Sequence, residues 1–112
     1  MATWQEKFQQ EIDHANDIRA RGNEGQARVR ARRAAGIVIR EYFTRRGIQT
    51  LSPSAYDLLK SLLEMDDLPP ALRQSAQYLT LRVDEEHNLP VGVDLIREAQ
   101  TLCERLLPGE LK

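Results

Sequence analysis

The sequence predicts an all-α fold: a five-helix up-down bundle forming one domain over residues 1–112. Three observations lead there. Apolar residues recur at three- and four-residue spacing in five separate segments. Those segments are bounded by recognisable helix caps and breakers. Nothing alternates with period two for long enough to make a strand, and β-branched and aromatic residues are few, the aromatics being 5% of the chain. A hydrophobic fraction of 41% over 112 residues supplies one core and argues against disorder.

Each element carries its own punctuation. Thr3-Trp4-Gln5-Glu6 fits a capping box, and the stripe Trp4, Phe8, Ile12, Ala15, Ile18 then runs along one helix face until Gly22. A second helix runs from about Glu24 to Arg46, with Gly47 as its stop. Ser52-Pro53 reads as an N-cap followed by proline at the first helical position. The third helix that follows carries Leu58, Leu59, Leu62, Leu63 and Met65, and ends at Asp66-Asp67. Pro69-Pro70 opens the fourth, with Leu72, Ala76, Leu79 and Val83 in register. Residues 84–92, DEEHNLPVG, read as a loop broken by Pro90 and Gly92. The fifth helix starts near Val93 or Asp94, buries Leu95, Ile96, Ala99, Leu102, Cys103, Leu106 and Leu107, and stops at Pro108-Gly109.

The second helix is the most informative. At about 100° per residue, Ala27, Ala31, Ala34, Ala35, Val38, Ile39, Tyr42 and Phe43 fall on one broad face. Its alanines allow close approach of a neighbour. Val29 and Ile37 lie outside that face, among Arg30, Arg33 and Arg40. Apolar residues on both sides mark a helix that is central or covered by a second subunit. A homodimer is expected on this ground, the alternative being two aliphatics that are simply exposed.

The formal net charge of −1 conceals a strong asymmetry. Residues 21–46 hold eight arginines and no lysine against Glu24 and Glu41, a net of +6. Residues 47–112 carry −5 and residues 1–20 carry −2. Arginine's planar fork suits phosphates and carboxylates, so Arg30, Arg33 and Arg40 are candidate anion-binding residues for RNA or a nucleotide. The alternative is that the helix packs against the acidic third to fifth helices and is neutralised internally. No aromatic residue interleaves with the arginines of residues 28–33, so base-stacking recognition is not expected.

Other chemistry is narrowed by what is missing. Cys103 is the only cysteine, which excludes an intramolecular disulfide framework and a cysteine-based metal site. His14 has no second ligand at metal spacing and reads as a structural or surface residue. No metal and no cofactor are expected, since glycine-rich phosphate loops and the common hydrolase and metal-binding signatures are absent. Cys103 reads as a small core residue, and Ser54 with Asp57 as helix-start chemistry. No apolar run approaches the roughly 18 residues of a membrane span, and the polar N-terminal stretch lacks a secretory signal's apolar centre. A cytoplasmic protein without membrane contact is the expectation.

One catalytic pairing stands out. Arg82 and His87 sit five residues apart at a helix-to-loop junction, where Arg82 would hold a phosphate and His87 would take the 2′-hydroxyl proton of RNA. Five residues on a regular helix are about 140° apart, so the pair meets only if the helix bends or ends between them. The competing reading pairs Arg82 with Asp84, Glu85 and Glu86 and leaves His87 anchoring the loop.

These segments together resemble the HEPN family (higher eukaryotes and prokaryotes nucleotide-binding). EGQARVRARRAAGIVIREYFTRRG resembles its long helix ending in glycine, and SPSAYDLLKSLL its short third helix. LRQSAQYLTLRVDEEHNLP followed by DLIREAQTLCERL resembles its closing section, which places the family's Arg-x(4–6)-His motif on Arg82 and His87. The resemblance implies a dimeric, metal-independent ribonuclease, often a toxin paired with a small nucleotidyltransferase. Two features depart from the pattern: Val83 after the arginine, and the acidic triplet before the histidine. The alternative function is a non-catalytic dimeric helical module that binds a protein partner.

Overall fold

The computed structural model describes residues 2–50, 52–81 and 93–110. Among them are five helices and no strand: α1 (Trp4–Ala20), α2 (Glu24–Arg45), α3 (Ala55–Leu63), α4 (Pro70–Thr80) and α5 (Leu95–Leu106). The predicted all-α bundle is what the chain forms.

Local chemistry sets each boundary. Thr3 and Glu6 make the reciprocal capping box at the start of α1. Gly22 (φ 85°) and Gly47 (φ 71°) take left-handed conformations after α1 and α2, where a Cβ would be strained. Asn23 caps α2 through the Gln26 amide, and Asp94 caps α5 through the amides of Ile96 and Arg97. The third helix starts two residues later than Ser52-Pro53 suggests. Its N-cap is Ser54, whose hydroxyl accepts from the Asp57 amide, while Ser52 accepts from the Ser54 amide and donates to the Asp57 carboxylate. Two serines in tandem compete for the cap, and the one three residues before an open amide wins. Ser54 and Asp57 thus do helix-start work. The helix also ends early, at Leu63, because Arg73 donates to the carbonyls of Leu63 and Met65, both at 2.8 Å, and closes its C-terminus.

The core lies around α2, which packs against all four other helices. Ala27, Ala31, Ala34 and Ala35 are fully buried, and α1 lies closely along that face with Phe8, Ile12 and Ala15. Val38, Ile39 and Phe43 continue the core toward Leu58, Leu59 and Leu62 of α3. The amphipathic α5 contributes Leu95, Ile96, Ala99, Leu102, Cys103 and Leu106, all buried. Burial pushes the Cys103 thiol up to about 11, so it remains protonated at neutral pH and packs as a small apolar group.

Two arginines act as helix caps instead of as surface charge. Arg73 closes α3 as described. Arg32 Nε donates to the Leu79 carbonyl at 2.8 Å, and its Nη2 donates to Leu81 O, covering the C-terminal carbonyls of α4. No helix among the described residues is long and apolar enough to cross a membrane.

Candidate functional site

Arg82 and His87 lie outside the described residues, as do Val83, Asp84, Glu85, Glu86 and the predicted loop of residues 84–92. Three of the sequence-selected residues are placed, all on α2: Arg30, Arg33 and Arg40.

They have different surroundings. Arg30 Nη1 bonds Glu11 Oε1 of α1 at 3.0 Å, so this arginine is neutralised across the α1–α2 hairpin. Arg33 and Arg40 are exposed, and neither has a carboxylate within ion-pair distance among the described residues. The remaining cations of this region are largely engaged. Arg28 approaches Glu24 at 3.8 Å, Arg45 bonds Glu41 at 2.8 Å and Glu110 at 2.6 Å, and Arg46 reaches Asp67 at 3.7 Å and stacks over Tyr42. The expectation that the acidic third to fifth helices neutralise α2 therefore holds only in part. Glu110 and Asp67 serve its C-terminal end, whereas Glu11 and Glu24 serve its N-terminal half.

Arg33 and Arg40 open into a cleft of about 720 Å³. Its floor is one face of α2, namely Arg33, Gly36, Ile37, Arg40, Glu41 and Thr44. One wall is α1, presenting Trp4, Lys7 and Glu11 from successive turns. The other is the N-terminal end of α3, with Pro53, Ser54 and Ala55. The cleft exists because α1 and α3 both pack on α2 but do not contact one another.

Gly36 sets the position of the α3 wall. A Cβ built there would lie 2.9 Å from Ala55 Cβ and 3.1 Å from Ala55 Cα. Only glycine lets the first turn of α3 sit directly on the α2 backbone, between Arg33 and Arg40. The N-terminal residues of α3, at the positive end of its dipole, thus line the same opening as Arg33 and Arg40.

The electrostatic balance inside the cleft favours an anion. Its two carboxylates, Glu11 and Glu41, each hold an arginine that does not line it, Arg30 and Arg45. Arg33, Arg40 and Lys7 line it without an ion pair among the described residues. Glu11 Oε2 is buried without a hydrogen-bond partner, so this carboxylate is only half satisfied.

Lys7, Trp4, Gly36 and Ile37 did not emerge as site residues from the sequence. Trp4 belongs to the apolar stripe of α1, and Lys7 is a lone lysine on the adjoining face. A usable signal was Gly36, a helix-interior glycine costing about 1 kcal/mol relative to alanine, flanked by arginines three before and four after. No family model, curated protein or solved structure matches the chain.

Proposed function

We propose that this chain is a HEPN-like helical protein that binds the phosphate group of a nucleotide or of RNA in the cleft over α2. The observation that carries the reading is the selective pairing of arginines. Among the described residues neither Arg33 nor Arg40 has a carboxylate within ion-pair distance, while the cleft's acids Glu11 and Glu41 bond Arg30 and Arg45. Arginine forks at a helix N-terminus supply the directed donors that a phosphate oxygen accepts. Ser54 adds a hydroxyl whose oxygen already accepts from the Asp57 amide, leaving its proton to donate.

The ribonuclease part of the reading rests on the spacing of Arg82 and His87 in the sequence. Arg82 would hold the scissile phosphate and His87 would act as general base on the 2′-hydroxyl.

Thermal unfolding with inorganic phosphate, pyrophosphate, nucleoside diphosphates and a short single-stranded RNA tests the binding. A ligand at about 100 times its Kd adds roughly 2.7 kcal/mol and raises the melting temperature by several degrees. The Arg33→Gln/Arg40→Gln variant is expected to lose that increase. A flat response of the native chain across the whole series removes the reading. Separately, His87→Ala is expected to abolish RNA cleavage without lowering thermal stability; cleavage that persists unchanged removes the ribonuclease part alone.

A further inference from the structure

The cleft contains more than a phosphate requires. Its α1 wall carries Trp4, the only tryptophan in the chain, and its floor carries Ile37; both are partly buried against the core and both line the opening. Trp4 is the first residue of α1, directly after the Thr3 cap of the Thr3–Glu6 capping box. Its side chain packs partly against the core and lines the cleft. A volume of about 720 Å³ is several times that of a phosphate and falls within the roughly 300–1,000 Å³ of pockets for cofactor-sized ligands.

The cationic track is also short. Arg33 and Arg40 are seven residues apart on α2, about 10 Å along its axis. Beyond them in either direction the arginines are engaged: Arg30 by Glu11, Arg45 by Glu41 and Glu110. A long polyanion would find no continuing line of free charge along α2, whereas one nucleotide's phosphates fit between the two. An indole on one wall and two guanidinium forks on the floor are the complement of a single nucleoside phosphate.

We propose that the cleft between α1 and α3 binds one nucleoside phosphate, its heteroaromatic base against Trp4 and its phosphates on Arg33 and Arg40. This deepens the phosphate-binding reading and rests on it. The base would lie across Trp4 and Ile37, since a base stacks on an aromatic face whatever its sequence identity. The phosphates would lie across the floor toward Ser54 and the start of α3.

The sole tryptophan makes the test direct. Adenosine diphosphate is titrated into the native chain while Trp4 fluorescence and melting temperature are recorded, with pyrophosphate and a short RNA in parallel. The expected result is a saturable change in Trp4 emission with the nucleotide, no change with pyrophosphate, and nucleotide affinity about tenfold above that of pyrophosphate. Trp4→Leu is expected to remove that advantage, and Trp4→Phe, which keeps a ring, to retain most of it by calorimetry. Folding of both variants is checked by their melting curves. Pyrophosphate binding as tightly as the nucleotide, with emission unmoved, overturns the role of Trp4 but leaves the phosphate reading standing. RNA binding that is tighter than the nucleotide and lengthens its contact with chain length overturns the single-nucleotide proposal. No response to any of the three overturns both readings.

Discussion

Two regions along α2 engage arginine for opposite purposes. At its N-terminal end, Arg19 bonds Glu24 at 2.8 Å and Asp94 at 2.9 Å, joining α1, α2 and the cap of α5 at one point. Along the middle, Arg33 and Arg40 face a cleft in which the available carboxylates already hold other arginines. What separates the regions is the supply of acids. An arginine surrounded by acids fixes helices relative to each other, and one left out of that pairing is available to a ligand. Net charge could not reveal this, because the paired Arg30 and Arg45 and the unpaired Arg33 and Arg40 contribute equally to the +6 of residues 21–46.

The comparison breaks first at Gly36. Gly36→Ala gains helix propensity of about 1 kcal/mol. It also drives a methyl against the Ala55 backbone, which cannot rotate away as a flexible side chain would. The net result expected is a loss of about 1–3 kcal/mol by denaturant unfolding, with weaker phosphate binding as α3 shifts. A stabilised variant with unchanged binding would show that α3 is not held where the cleft needs it.

A smaller effect belongs to the paired region. Asp94→Ala removes the α5 cap and one partner of Arg19, and is expected to cost about 1 kcal/mol. Burial pulls the Asp94 carboxyl upward, but Arg19 and the amides of Arg97 and Ile96 outweigh it and hold the group below its ordinary value. Because the folded value is depressed, the contribution is fully present above the ordinary carboxylate range and fades as pH falls through the depressed value. The stability difference between the native chain and Asp94→Asn, which keeps a cap but not the charge, should therefore shrink on acidification. A difference that grows toward low pH would contradict the pairing.

The smallest change is expected in the cleft. Arg33→Gln and Arg40→Gln should each alter stability by less than about 0.5 kcal/mol, because neither side chain holds a carboxylate among the described residues. A larger loss would place these arginines in the structural class with Arg19.

The helices were legible because their signals are local. A capping box at Thr3 and Glu6, glycines at 22 and 47, Pro70 and Asp94 act within one turn of themselves, and the apolar spacing between them does the rest. The start of α3 was misplaced by two residues because Ser52 and Ser54 offer the same cap, and the choice depends on which amide is left open. The cleft was only partly legible. Arg33 and Arg40 could be selected by composition, but Arg30 could not be separated from them, since its partner Glu11 lies 19 residues earlier on another helix. Trp4 and Lys7 join the site only because α1 and α3 settle on either side of α2, a relation set by packing at Gly36 and the buried alanines.

The central claim is that position, not total charge, makes Arg33 and Arg40 the ligand-binding pair. Calorimetric titration of adenosine diphosphate into Arg33→Gln/Arg40→Gln and into Arg28→Gln/Arg46→Gln decides it, since both remove two positive charges from α2 and its C-cap. The second pair lies outside the cleft and pairs with Glu24 and Asp67, not with the cleft's two acids. Two charge-assisted contacts correspond to a loss of at least about tenfold in affinity for the first variant. The second should bind within about threefold of the native chain, as expected for charges outside the site at physiological salt. Equal losses in the two variants would contradict the account.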